Sequence, residues 1–228
     1  MSETKLPQDA LAVLVNQPDG RQLLRLAEAL IQAHAMDDDH KTRHEEIRQQ
    51  LTLTHQRLYG REQAGLLETP LGWVGLIWTE RGLRRLILPR QSQEAALAAL
   101  QQEGAPATLD EPPEHLATPL RRYFAGERAH PRLPLDLAAL PPFRRDVLTL
   151  VNTIPYGETR TYRWIAEKLG VRSYRAVGQA VGANPIPIVI PCHRVIASDG
   201  ALRGYAGGIE MKRRLLELER ARPFAGRS

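Results

Sequence analysis

The sequence predicts an α+β (α/β) chain in which a small antiparallel sheet precedes a mostly helical carboxy-terminal region containing a helix-turn-helix. Two strand-like apolar runs, Leu71–Trp78 and Gly82–Leu88, are separated only by Thr79–Arg81, the spacing of a hairpin. Farther on, two short helical patterns flank Gly170, and a segment with four prolines, His130–Pro142, lies between the two regions. With 228 residues, 43% of them hydrophobic, the chain can bury one sizeable core, arranged as a small domain and a larger one.

Taken in order, residues 1–65 read as a helical extension. Apolar positions in Leu11–Val15, Leu23–Ile31 and Ile47–Leu58 suggest helices, broken at Gln17-Pro-Asp-Gly20 and at Asp37–Asp39. His34, His40 and His44 lie among aspartates there, but without thiols they read as a solvated surface rather than a metal site. Residues 66–129 form the small domain: the hairpin, then helices near Gln93–Glu103 and Pro113–Ala125. Residues 130–142 are the expected linker, and 143–228 the helical domain.

In the helical domain, Thr161–Leu169 is a short amphipathic pattern with Thr161 as cap, Trp164, Ile165 and Leu169 on one face, and Gly170 as the stop. Ser173 is placed to cap a second helix running to about Ala183. That helix carries Arg172 and Arg175 near its start and is otherwise small: Ala176, Gly178, Ala180, Gly182 and Ala183. A smooth helix approaches a groove closely and meets phosphate at its amino end, but has few long side chains to read base edges. Charge points the same way. Residues 143–228 hold 15 basic and 7 acidic side chains, a net +8, against +5 for the whole chain.

No apolar run approaches the length of a membrane span, and the amino terminus shows no signal-peptide pattern. One cysteine and no disulfide partner suit a reducing cytoplasm.

That cysteine, Cys192, lies in Asn184-Pro-Ile-Pro-Ile-Val-Ile-Pro-Cys-His-Arg-Val195. A lone buried cysteine is usually a small hydrophobe. Here Pro191 fixes the backbone before it, His193 offers a base, through water if the two side chains diverge, and Arg194 offers a cation that favours the thiolate if it faces the sulfur. Such help matters, because a thiol with a pKa near 8.5 is only about 3% ionised at neutral pH.

Pro191-Cys-His-Arg-Val195, with Asn184-Pro185 before it and Gly204-Tyr-Ala-Gly-Gly208 after it, closely resembles the active-site signature of the O6-alkylguanine-DNA alkyltransferases. Ile154-Pro-Tyr-Gly-Glu-Thr-Arg-Thr-Tyr162 and Arg175-Ala-Val-Gly178 match the same family in order and spacing. The resemblance is clear over about 141–219 and weaker back to about 69. It implies a ribonuclease-H-like first domain. It also implies a helix-turn-helix in the DNA minor groove, rotation of the damaged guanosine out of the stack, and irreversible transfer of its O6-alkyl group to the cysteine.

By that resemblance Cys192 is the alkyl acceptor, His193 deprotonates it through water, and Glu219, on a helix expected over Met211–Glu219, orients the histidine. Asn184 braces the turn into the site, and Tyr162 crowds the flipped nucleotide's phosphate and assists the leaving guanine. Arg175 fills the vacated stack; Thr161, Arg172, Ser173 and Tyr174 complete the expected DNA contacts. Val181, Pro187, Val195, Tyr205 and Ala206 are expected to line the base pocket.

Ala206 departs from relatives that carry a serine able to contact the guanine oxygen. The absence of further cysteines rules out a cysteine-ligated structural zinc, so neither metal nor cofactor is expected. The expected partner is double-stranded DNA containing O6-alkylguanine, bound by a monomer away from membranes. Two rivals stand beside this reading: a lesion sensor that only flags the base, whose known examples lack the cysteine, and a Cys-His hydrolase.

Overall fold

The computed structural model describes residues 60–128 and 130–219. The helices expected within 11–58 and the His34, His40 and His44 group lie outside the described residues. Described residues from Glu62 to Leu137 and from Pro142 onward make one compact unit.

Its first layer is a meander of β1 (Gln63–Thr69), β2 (Gly72–Thr79) and β3 (Gly82–Arg90), antiparallel throughout and in that spatial order. The register runs from Gln63 opposite Trp78 to Thr69 opposite Gly72, and Leu76 faces Leu86 across the second pair. Helix α1 (Gln93–Gln102) covers the sheet; the Ser92 hydroxyl caps it by accepting from the Ala95 amide at 3.2 Å. Ala64, Ile77, Ile87 and Leu100 close the core between them. Strand β1 was not expected, since Gln63-Ala-Gly-Leu-Leu-Glu-Thr69 has little β-branched character; it forms because its buried side chains complete that core.

Helix α2 (Glu114–Phe124) buries Leu116, Ala117, Leu120, Tyr123 and Phe124. Pro119 removes one intrahelical bond, and the buried face carries the helix through it. The chain that follows, within the expected linker, packs on the sheet. The Leu83 amide donates to Pro134 O at 2.8 Å and the Asp136 amide to Leu83 O at 2.9 Å. The buried Asp136 carboxylate accepts from Thr79 Oγ1 at 2.7 Å and Arg84 Nη2 at 2.5 Å. Gly82 has φ +133°, and a Cβ there would lie 2.3 Å from Pro134 O, so only glycine admits this close approach.

The helical part begins with α3 (Pro142–Val151), which has proline at its first position, where no amide is needed, and buries Val147, Leu148 and Val151. A two-residue strand β4 (Arg160–Thr161) pairs in parallel with β5 (Val195–Ile196). Helix α4 (Tyr162–Lys168) is capped by Thr161 Oγ1, which accepts from the Trp164 amide at 3.1 Å, and Gly170 ends it with φ +65°. Helix α5 (Tyr174–Gly182) is capped by Ser173 Oγ, which accepts from the Ala176 amide at 3.2 Å. Thus α4 and α5 form the expected helical pair. Helix α6 (Gly208–Leu218) starts a turn earlier than expected and leaves Glu219 as its C-cap.

Candidate active site

The loop from Asn184 to Cys192 is held from within. Asn184 Nδ2 donates to Ile190 O at 2.8 Å, while Asn184 Oδ1 accepts from the Ile186 amide at 3.0 Å. Ile188 has φ +76°, a left-handed conformation that a β-branched residue adopts only when its surroundings enforce it. Pro191, at φ −80° and ψ 63°, is the centre of an inverse γ-turn closed by the Cys192 amide on Ile190 O at 2.8 Å. A 3-10 turn, Cys192–Arg194, follows. The Leu86 amide donates to Pro185 O at 2.9 Å and so anchors the start of the loop to β3. The bracing expected of Asn184 is therefore two hydrogen bonds across the loop.

The sulfur is buried, and burial pushes the Cys192 thiol up to about 11; the Asn184 amide and the Lys212 charge pull the other way. His193 is fully buried, with Nε2 2.8 Å from Glu219 Oε1. Because a carboxylate only accepts, Nε2 carries the hydrogen and Nδ1 presents a lone pair. Nδ1 is buried with no partner among the described residues. Burial lowers the His193 pKa below its usual 6.5 against the opposing pull of Glu219, so the ring is neutral at pH 7.

Glu219 is the hub. Its Oε1 accepts from Tyr123 Oη at 2.8 Å, His193 Nε2 at 2.8 Å and Arg194 Nη2 at 2.9 Å, and its Oε2 accepts from Arg194 Nε at 2.7 Å. Burial raises its pKa, but the bonds and charges of His193 and Arg194 outweigh this and hold the carboxyl well below the usual range.

The condition under which Arg194 would favour the thiolate is not met, because its guanidinium is engaged elsewhere. Its guanidinium is spent on Glu219, on Ile154 O at 2.6 Å and on His130 Nδ1 at 3.1 Å, because a fully buried carboxylate needs a fully buried cation. Among the described residues the charge that acts on the thiol is that of Lys212, a buried residue of α6 that sequence reasoning missed. Tyr123 and His130 were missed as well. They lie far from the signature in sequence and belong to the site only through Glu219 and Arg194.

Beside the sulfur lies a cavity of about 10 Å³, lined by Val181, Gly182, Asn184, Pro187, Cys192, Gly204, Tyr205 and Ala206. Four of the five expected pocket residues are there. Val195 is not: its side chain is fully buried, and its carbonyl accepts from Lys212 Nζ at 2.6 Å. The Tyr205 hydroxyl is buried beside the site with no partner among the described residues. Tyr162 is half-buried, its hydroxyl 3.5 Å from Arg203 O; burial and then Cys192 raise its pKa. A larger cleft of about 910 Å³ opens over His130, Asn152 and Tyr156 and includes neither Cys192 nor His193.

Arg172, Ser173, Tyr174 and Arg175 are exposed at the start of α5, while Thr161 and Ser173 also spend their hydroxyls as caps. Among the described residues no group of three or more His, Cys, Asp or Glu side chains is placed to hold a metal ion. No described helix is long and apolar enough to cross a membrane.

Residues 142–221 match the family model described as the 6-O-methylguanine DNA methyltransferase DNA-binding domain, and residues 64–137 match that of its ribonuclease-like domain. The chain is 40% identical over 158 residues to the methylated-DNA–protein-cysteine methyltransferase of Methanosarcina barkeri, covering 68% of this chain and 94% of that one. It is 52% identical over 104 residues to the protein of the same name from Mycobacterium tuberculosis, covering 45% of this chain and 62% of the relative. Among solved structures, the O6-methylguanine methyltransferase of M. tuberculosis aligns with a TM-score of 0.56 and 37% identity over 73% of this chain and 97% of that one. The OGT of that organism in complex with DNA aligns with a TM-score of 0.57 and 37% identity, over 69% and 92% respectively.

Proposed function

The chain belongs to the 6-O-methylguanine DNA methyltransferase family, and on that premise we propose that it repairs DNA by moving the alkyl group of O6-alkylguanine onto Cys192, once per molecule. The observation that supports the residue-level reading is the buried His193–Glu219 pair next to the buried Cys192 in the chain, with His193 Nδ1 buried and without a partner among the described residues.

A water between the thiol and His193 Nδ1 passes the thiol proton to the ring. Glu219 stabilises the imidazolium that forms, its charge being the natural partner of Nε2–H. The thiolate then displaces guanine at the alkyl carbon: the S–C bond forms, the C–O6 bond breaks, and its electron pair leaves on the guanine. Tyr162 supplies the proton the base needs as negative charge develops on O6. The thioether is stable, and with no second cysteine in the chain nothing resolves it.

Helices α4 and α5 present the DNA. The exposed start of α5 brings Arg172, Tyr174 and Arg175 to the phosphates and the gap in the stack, with the minor groove as the docking site. The small residues beyond them support binding with little sequence preference. A monomer in a reducing cytoplasm suffices.

Intact-mass measurement after mixing with duplex DNA containing O6-methylguanine tests this. Transfer adds about 14 Da, one methyl for one hydrogen, to the Cys192 peptide with one-to-one stoichiometry. Tight binding without mass gain would mark a lesion sensor instead, and repeated turnover of an acyl substrate a hydrolase.

A further inference from the structure

Lys212 is buried on α6 without a carboxylate partner among the described residues. Its Nζ donates to Val195 O at 2.6 Å and to Arg203 O at 3.1 Å. An ammonium has three N–H groups, so one is left over, and carbonyls neutralise no charge. A buried cation without a counter-ion is among the costliest arrangements in a protein interior, and one that is retained has an anion to serve. Glu219 is not that anion, since Tyr123, His193 and Arg194 saturate it. What remains is the thiol on the 3-10 turn against which α6 packs.

We propose that Lys212 is the counter-ion of the Cys192 thiolate, with its third N–H directed to the sulfur when the thiol proton departs through water to His193. The use made of that thiolate rests on the alkyl-transfer reading; the pairing itself does not. Burial lowers the Lys212 pKa to about 8, and the Cys192 charge acts in the opposite sense, as a paired anion does. The neighbouring groups titrate elsewhere. Burial puts His193 below 6.5, Glu219 lies well below the carboxylate range, and burial raises Tyr162 above 10 and Tyr205 well above it.

Iodoacetamide alkylation of the full chain, followed by intact mass across neutral and alkaline pH, reads the thiolate directly because Cys192 is the only thiol. Alkylation of the unaltered chain is expected to quicken with pH, flatten near pH 8 as Lys212 loses its proton, and then quicken again. In Lys212→Met the rate at pH 7 is expected to fall at least about tenfold, as loss of a neighbouring charge requires, and to rise with no flattening. Lys212→Arg keeps the charge and holds the neutral-pH rate within a few fold. A slower Lys212→Met that still flattens near pH 8 makes the lysine merely structural and overturns the proposal. So does an unaltered chain whose rate rises straight through pH 8, a result that decides the matter even if the variant fails to fold. Methyl transfer measured alongside separates the two claims. A flattening profile with no mass gain on O6-methylguanine DNA sinks the repair reading and leaves the pairing standing.

Discussion

Glu219 offers the sharpest test of how the site is built. In Glu219→Gln, one amide oxygen must replace a carboxylate that accepts four close hydrogen bonds, and two new N–H groups face the donors Arg194, His193 and Tyr123. Arg194 is left as a fully buried cation with no anion among the described residues. Both side chains are wholly inaccessible, so no discount for solvent screening applies. Removing one partner of such a pair costs about 3 to 5 kcal/mol. For a folded body of this size that lowers Tm by about 6 to 20 °C. Circular-dichroism melts in parallel with single-turnover methyl transfer form the assay, and transfer is expected to slow about 100-fold or more as His193 loses its charge partner. The double variant Glu219→Leu with Arg194→Met removes both charges; it should melt well above Glu219→Gln yet transfer no faster. A Tm loss under about 2 °C for Glu219→Gln, or no recovery in the double variant, would refute the idea that the pair is a costly arrangement held for the histidine.

Two further outcomes follow from the same geometry. Arg175→Ala should slow transfer from duplex DNA at least about tenfold while reaction with free O6-benzylguanine stays nearly unchanged, because only the duplex needs extrusion; equal losses in both reactions would make Arg175 a structural residue. Burial and then the Arg194 charge lower the His130 pKa from 6.5 to about 4, so between those values the unfolded chain binds a proton that the folded one refuses. Stability therefore falls as pH drops from 6.5 to 4, by about 2 to 3 kcal/mol from this residue after allowing for its partial exposure. Urea titrations at several pH values check this, and His130→Gln should flatten the slope; an unchanged slope would remove His130 from the network.

The hairpin, the α4–α5 pair and both caps were legible because local chemistry decides them: Thr161 and Ser173 cap where they stand in sequence. The proposed nucleophile and its histidine stand out in the sequence because they are neighbours in a distinctive segment. What was not legible is whatever depends on which way a side chain turns. Arg194 follows His193 directly, yet its guanidinium goes to Ile154 and Glu219, away from the sulfur. Tyr123 comes from a different part of the chain, 96 residues before Glu219, and no pattern in α2 marks its hydroxyl as other than core. Lys212 reads in sequence as one more basic residue beside Arg213 and Arg214, and only its helical phase buries it. Strand β1 was missed because tertiary packing overrides weak propensity.

The cavity beside Cys192 has room for about one water, and a purine is many times larger, so the wall must move before any base meets the sulfur. The two walls differ in how they are held. On the Cys192 side, the Asn184 bridges, the Ile188 conformation and the Pro191 turn fix the backbone at three successive points. Opposite, Gly204, Tyr205 and Ala206 follow Arg203, whose carbonyl is tied, among the described residues, by Lys212 at 3.1 Å and by Tyr162 at 3.5 Å. The second contact is at the limit of a hydrogen bond and costs little to break. Opening on this side would release the Tyr162 hydroxyl, the proposed donor to O6, as the base arrives, while leaving the sulfur in place. Amide hydrogen exchange should accordingly show residues 203–207 far less protected than 186–192 in the free protein. Equal protection of the two segments would mean that the base enters by some other movement, and Tyr162 would then need another route to its proton-donating position.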